Sequence, residues 1–379
     1  MKNTAKKIVS LVLCAAMAVT LVLSLASCGN DKYDADKQIF IGATGPLTGD
    51  ASSYGISVQN GAKLAIKEIN EAGGFNGITL YFDMKDDKAT AGDASTGYDM
   101  LVEAGMQISL GSVTSGSCEA FAKKADTDKM FFITPSASAA NVIANRPYAY
   151  RVCFGDPDQG VLAAQTLSAT YTKIGAIYDT SDDYSSSVYA AFKGEMERLG
   201  KGFTVQTFDA ENKKDFSTQV EALKDCDVIF LPIYYTEAGL IAKTASQKGC
   251  SALLFGCDGL DGVKEQIDST VTNTIKYITP FDANSSDSTV KKFVDAYKAE
   301  YGTTPDQFAA DAYDAVMALF EAMKKADIKD AKISSKDLAV KVAEVLSSAD
   351  FKFKGATGEI SWNAAGEPTK VPQIVTLGK

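Results

Sequence analysis

QIFIGATGPLTGDASSYGISVQNGAKLAIKEINEAGGFNGITLYFDM, running from Gln38 to Met84, decides the fold class. Gln38–Thr44 is an apolar run of strand length. From Tyr54 to Asn70 the pattern changes, because Val58, Ala62, Ala65, Ile66 and Ile69 recur at helical spacing. Ala72-Gly73-Gly74 is a stop signal. Ile78–Met84 then returns to strand composition. Strand, helix and strand in this order form the unit of a parallel sheet with right-handed crossovers.

The rhythm continues outward from that stretch. The sequence predicts a helix over Ala91–Ala104, a strand at MQISLGS, a helix from about Ser117 to Asp128 and a strand at MFFIT. It restarts after Gly155 with strands at KIGAIYD, FTVQTFD, DVIFLPI, ALLFGC and TIKYITP. Helices over Ser186–Leu199, Phe216–Leu223 and Glu237–Lys248 fall between them. Ser288–Ser348 reads as mostly helical, and FKFKGATGEISWN and VPQIVTL read as short closing strands. At 379 residues the chain is too long for one ordinary core. Two successive α/β sets predict two similar lobes, and a cleft between lobes is the default place for a small ligand.

Composition narrows the function. The net charge is −10, against nucleic acid as a partner. There is no histidine, which excludes Ser-His-Asp and Cys-His catalysis and any His-containing metal site. No GxxxxGK[ST] occurs, and no GxGxxG opens a helix after the first strand, so nucleotide cofactors are disfavoured. No cofactor or metal is expected, and an enzyme, such as an extracytoplasmic hydrolase, is the disfavoured class. Cys118, Cys153, Cys226, Cys250 and Cys257 lack CxxC spacing and read as small buried residues, with a Cys250–Cys257 pair left open.

At the N-terminus Lys2, Lys6 and Lys7 precede the apolar stretch Ile8–Ala26. That is the form of a secretory signal peptide, and its length is also near that of a membrane anchor. Leu25-Ala26-Ser27-Cys28 resembles the bacterial lipobox. The resemblance implies a signal peptide over 1–27, lipid on Cys28 and a tether over 28–37.

In open parallel sheets, ligands sit at the carboxyl ends of strands. The residues there are GPLTGDASSYG, VTSGS, PSASA, TSDDYSS, YYTEAG and DGLDG. Hydroxyls and tyrosines recur, and one carboxylate, Asp258, stands directly at a strand end. GPLTGDASSYGISVQNGAKLAIKEINEAGG resembles the opening of the periplasmic leucine/isoleucine/valine-binding proteins, the type I substrate-binding proteins of ABC transporters. The likeness continues through ITPSASAANV, YRVCFGDPDQG, IYDTSDDYSSSV, DFSTQVEALKDCDVIFLPIYYTEAGL, FGCDGLDG and FKFKGATGEISWN, covering the chain from Gln38 onward.

The resemblance implies two doubly wound α/β lobes joined by a three-segment hinge near Phe154–Asp158, Thr279–Ala283 and Phe351–Lys354. Lobe one is expected over 38–154 plus 284–351, and lobe two over 155–281 plus 355–379. It implies that Ser115 holds a ligand carboxylate, that Ser136 offers its carbonyl to an ammonium, and that the Ser138 hydroxyl serves both charges. Tyr54 and Tyr184 are expected to cover the ligand, Tyr234 to reach it on closure, and Asp258 to pair with the ammonium. Each has a plainer reading. Ser115 suits a helix N-cap, Ser136 and Ser138 a turn after Pro135, and the tyrosines ordinary packing. Tyr235 is expected to face the core, and Glu237 to be a first-turn acid favoured by the helix dipole. Asp258 and Asp261 compete to cap a helix near Leu260, the local role being assigned to Asp261. A disulfide that one familiar member of that family has between the loops after the second and third strands is not expected, since Asp86–Ala89 holds no cysteine and Thr114 takes the other position. The expected partners are an amino acid, branched-chain or similarly aliphatic, and an ABC permease, with the membrane reached through the lipid. A sensor of the same fold, for amides, urea or aromatic acids, is the alternative.

Overall fold

The computed structural model describes residues 32–377, so the expected signal peptide, Cys28 and the tether up to residue 31 lie outside the described residues. The first sheet contains β1 (Gln38–Gly45), β2 (Thr79–Asp86), β3 (Ile108–Ser109), β4 (Phe132–Thr134) and β5 (Ala149–Arg151). Their order is β2-β1-β3-β4-β5, all parallel. The second contains β6 (Ile174–Asp179), β7 (Thr204–Phe208), β8 (Val228–Leu231), β9 (Leu253–Gly256) and β10 (Ile275–Thr279), in the order β7-β6-β8-β9-β10. These too are parallel. β11 (Phe353–Gly355) and β12 (Gly358–Ile360) form a separate hairpin, and β13 (Gln373–Thr376) joins the β10 edge antiparallel. Both sheets therefore reverse their strand order once, between β1 and β3 and between β6 and β8. Those switch points are where an open α/β sheet leaves a crevice at its strand ends.

The helices are α1 (Ser52–Glu71), α2 (Ala91–Glu103), α3 (Ser115–Asp128), α4 (Asp156–Thr170), α5 (Asp183–Arg198), α6 (Ser217–Ala222), α7 (Tyr235–Gln247), α8 (Ser288–Tyr301), α9 (Gln307–Lys325) and α10 (Ser335–Leu346). α1, α2, α9 and α10 pack on strands of the first sheet, and α5 and α6 on strands of the second. α1 buries the stripe read from the sequence, with Val58, Ala62, Ala65, Ile66 and Ile69 all inside. It crosses α9 so closely that a Cβ on Gly61 would stand 2.1 Å from the Ala309 carbonyl oxygen. Only glycine permits that backbone approach.

Several elements differ from expectation. β3 is only Ile108–Ser109, because Gly111 turns the chain with φ +67° and Ser109 Oγ takes the Gly111 N–H at 2.8 Å. β5 and α4 carry no clear periodic signal. β5 is three residues long and includes a buried arginine, and α4 buries mostly small residues. The third passage between the sheets comes later than Phe351–Lys354. Ala356 and Thr357 donate their N–H groups to Asp314 of α9, Trp362 Nε1 donates to Arg151 O at 2.7 Å, and Arg151 N donates to Gly366 O at 3.1 Å. The segment up to Gly366 thus stays against β5 and α9, and the chain reaches the second sheet only at β13.

All five cysteines of the described residues are free, and Cys226 alone among them is not buried. Among the described residues no helix is long and apolar enough to cross a membrane.

Candidate ligand-binding site

The two switch points face one another across a small cavity. Its lining brings together Tyr54, Ser115, Ser136, Ser138, Tyr184, Tyr234 and Asp258, which are all the ligand-contact positions expected from the sequence. Val113, Thr114, Gly259 and Phe308 complete the wall.

Ser115 opens α3, and Thr114 rather than Ser115 stands at its N-cap, without a side-chain capping bond. Ser115 Oγ instead accepts the Ala139 N–H at 3.2 Å, tying α3 to the segment after β4. The first N–H groups of a helix have no intrahelical acceptor. Beside them the buried Thr114 and Ser117 hydroxyls have no hydrogen-bond partner. Such a helix end, dipole and unsatisfied donors together, is suited to an anion.

The Ser136–Ser138 segment is held from below. Ser136 N and Ala137 N donate to Thr134 Oγ1 at 3.3 and 3.0 Å. The Ser138 carbonyl accepts from the Arg151 guanidinium and from Asp156 N. Arg151, fully buried, also reaches the Ala139 carbonyl at 3.3 Å and Glu367 Oε1 at 3.2 Å.

Aromatic rings close the other side. Tyr184 and Tyr234 stack with centroids 5.2 Å apart and planes 7° apart, and Tyr54 meets Tyr234 edge-on at 5.5 Å. Phe308, at the start of α9, packs on Tyr54 at 4.4 Å. Tyr235 is buried among the core residues as the first residue of α7 rather than by strand alternation, and its ring lies 4.8 Å from that of Tyr54. The cavity is shut by bonds between elements of the two sheets. Tyr54 OH donates to Gly259 O at 2.5 Å and accepts Tyr235 N at 3.2 Å, and Thr236 Oγ1 donates to Asp50 O at 3.0 Å. Glu237 is in the first turn of α7 and is also buried, with Lys213 Nζ at 3.5 Å.

Asp258 lies at the end of β9 and is buried. Its Oδ1 accepts the Gly259 N–H at 2.8 Å, a bond shared with Tyr184 OH at 3.0 Å. Burial pushes its pKa up to about 6, against the pull of the neighbouring Tyr184 and Gln159 side chains and the Gly259 N–H. Asp261 takes a role other than the one expected. It caps nothing near Leu260. Its Oδ2 accepts the Gln307 N–H at 3.1 Å, so it caps α9 from across the cleft. Asp306 caps the same helix end through Ala309 N at 2.9 Å. In place of a disulfide, Ser112 Oγ donates to the buried Asp87 Oδ2 at 2.5 Å, joining the loop after β2 to the one after β3.

Sequence reasoning missed Asp156 and Phe308. Asp156 reads as a first-turn acid of α4, and the Pro157 beside it strengthens that reading. In the fold it is fully buried, and neither carboxyl oxygen has a hydrogen bond of good geometry. Burial pushes its pKa up to about 8; Asp258 raises it further, while the Ser138 and Ser187 hydroxyls and Arg151 pull it back. Phe308 arrives from 254 residues beyond Tyr54, and nothing local marks it.

The raised carboxyls set a pH dependence. Between about pH 4 and about pH 8 the folded state keeps a proton on Asp156 that the unfolded chain has released. The folded state then binds more protons, so stability falls as pH rises through that window. Thermal unfolding of the ligand-free protein is expected to show a falling midpoint there. Asp156→Asn should flatten the fall between about pH 6 and about pH 8; an unchanged slope in the variant would remove Asp156 as its source.

Comparison with known proteins places this geometry. Residues 38–373 match the profile of the periplasmic binding proteins. The leucine-, isoleucine-, valine-, threonine- and alanine-binding protein of Pseudomonas aeruginosa is 28% identical over 355 residues, covering 92% of each chain. The branched-chain amino acid transporter substrate binding protein of Streptococcus pneumoniae, solved with isoleucine, superposes with a TM-score of 0.81 at 28% identity, covering 90% of this chain and 96% of that one. A leucine binding protein from Thermotoga maritima gives 0.79 at 25% identity, covering 89% and 94%. The sheet order, the switch-point cavity and the matched length lead to one conclusion: the chain belongs to the periplasmic binding protein family.

Proposed function

We propose that this protein is the extracytoplasmic receptor of an ABC transporter, capturing an α-amino acid with an aliphatic side chain for uptake. The observation that carries the reading is the pairing, around one small cavity, of a helix N-terminus with unpartnered Thr114 and Ser117 hydroxyls and a buried carboxylate. A zwitterion answers both. Its carboxylate takes the α3 N–H groups and the Ser115 and Ser138 hydroxyls. Its ammonium takes Asp258 and the Ser136 carbonyl, because a buried ammonium without a counter-charge is costly. Tyr54, Tyr184, Tyr234 and Phe308 then cover the apolar side chain and exclude water. The names of the Pseudomonas and Streptococcus relatives point to the same ligand class.

The ligand binds first to the serines of the first lobe. Closure about the hinge then brings Tyr184, Tyr234 and Asp258 onto it, and the ligand favours the closed form because only that form offers these contacts. No bond is made or broken. The permease recognises the closed form, and lipid on Cys28 keeps the receptor at the membrane.

The test is calorimetric titration of the chain from Gly29 onward against the twenty common amino acids and small amides. Tight binding of a branched-chain amino acid is expected. Binding of an uncharged amide, with none of any α-amino acid, would sink the zwitterion reading.

A further inference from the structure

The space between the lobes does not end at Tyr234. Beside its ring lies a second chamber of about 280 Å³, partly open to solvent, and Tyr234 is part of the lining of both. The chamber walls carry Asp50 and Lys88 from the first lobe and Asp179, Asp182, Lys213 and Glu237 from the second. Lys213 is already occupied, with Asp50 at 3.1 Å and Glu237 at 3.5 Å. Lys88 has Asp93 at 3.4 Å. The remaining acids, Asp179 and Asp182, leave the chamber suited to a cationic group.

The Tyr234 ring is fixed in place. It is stacked on Tyr184 and set edge-on to Tyr54. Asp182, also on the chamber wall, is held by accepting Ser185 N at 2.8 Å at the start of α5. A ring packed against two others acts as a wall, since moving it would break the stacking.

We infer that Tyr234 is a specificity-determining partition, whose ring separates the inner cavity from the outer acidic chamber and so sets the upper length of the bound side chain. The inference rests on the α-amino acid reading given above. Short aliphatic side chains end inside the partition. A long cationic one, as in lysine or arginine, would have to pass through it, and its charge would then meet Asp179 and Asp182. Selectivity against basic amino acids is therefore steric, and the chamber that would receive them is already built.

Calorimetry with leucine and lysine on the wild type, Tyr234→Phe and Tyr234→Ala tests this. The wild type is expected to prefer leucine by at least about a hundredfold. Tyr234→Phe keeps the ring and should stay within about threefold of that ratio. Tyr234→Ala removes the wall; leucine should weaken about tenfold and lysine strengthen about tenfold or more, shifting the ratio by about a hundredfold. An unchanged ratio in Tyr234→Ala overturns the partition, as does a folded variant, checked by circular dichroism, that binds neither ligand. Wild type that binds no α-amino acid overturns the parent reading and this inference with it, an outcome recognisable without any variant.

Discussion

Asp258→Asn is expected to weaken binding of an α-amino acid by about thirtyfold or more while leaving the fold intact. Removing one partner of a buried, hydrogen-bonded charge pair costs roughly 2–5 kcal/mol, which is about thirtyfold to several thousandfold in affinity. Asparagine keeps the shape and the acceptor for the Gly259 N–H now taken by Asp258 Oδ1 at 2.8 Å. It also relieves the burial that pushes the Asp258 pKa up to about 6. Unfolding midpoints should therefore hold or rise. The same carboxyl gives the wild type a pH signature. A bound ammonium favours the ionised form, so binding below about pH 6 must expel a proton, and affinity should fall there as pH decreases. Asp258→Asn should lose that acid limb. Equal affinity in variant and wild type, or an acid limb that survives the substitution, would take the ammonium role away from Asp258.

Arg151→Met is expected to destabilise the protein by about 3 kcal/mol, the lower end of what breaking a buried ion pair costs. Arg151 is fully buried, and its guanidinium serves the Ser138 and Ala139 carbonyls and Glu367. Methionine fills much of the volume and satisfies none of them, leaving buried carbonyls without a donor. The lower end applies because the Glu367 side chain is 40% exposed and water can take it over. Glu367→Gln should accordingly cost less than about 1 kcal/mol. Ligand affinity should fall as well in Arg151→Met, since the segment bearing Ser136 and Ser138 loses its support. Chemical denaturation reads the first effect and calorimetry the second. An unchanged midpoint in Arg151→Met would show that water replaces the guanidinium at no cost.

The fold was legible because strand and helix periods alternate cleanly, as in Gln38–Met84. The candidate site was legible because a parallel sheet places its ligand groups directly after apolar runs. Ser115, Tyr234 and Asp258 each follow such a run within a few residues, and the structure gathers them around one cavity. What escaped depends on contacts between distant segments. Asp156 looks like any first-turn acid until α4 is seen to start beneath the Ser138 carbonyl, which accepts the Asp156 N–H at 2.9 Å. Asp261 looks like a local cap until α9 is seen across the cleft. The late third passage depends on Trp362 and Gly366 finding β5, a strand of only three residues.

The hydrogen bond from Ser112 to Asp87 has a consequence for how the molecule matures. It fastens the loops beneath α3, and the five cysteines of the described residues are free thiols. Assembly of the cavity over residues 32–377 therefore needs no oxidant and no disulfide shuffling. A reductant should therefore leave the melting curve where it was.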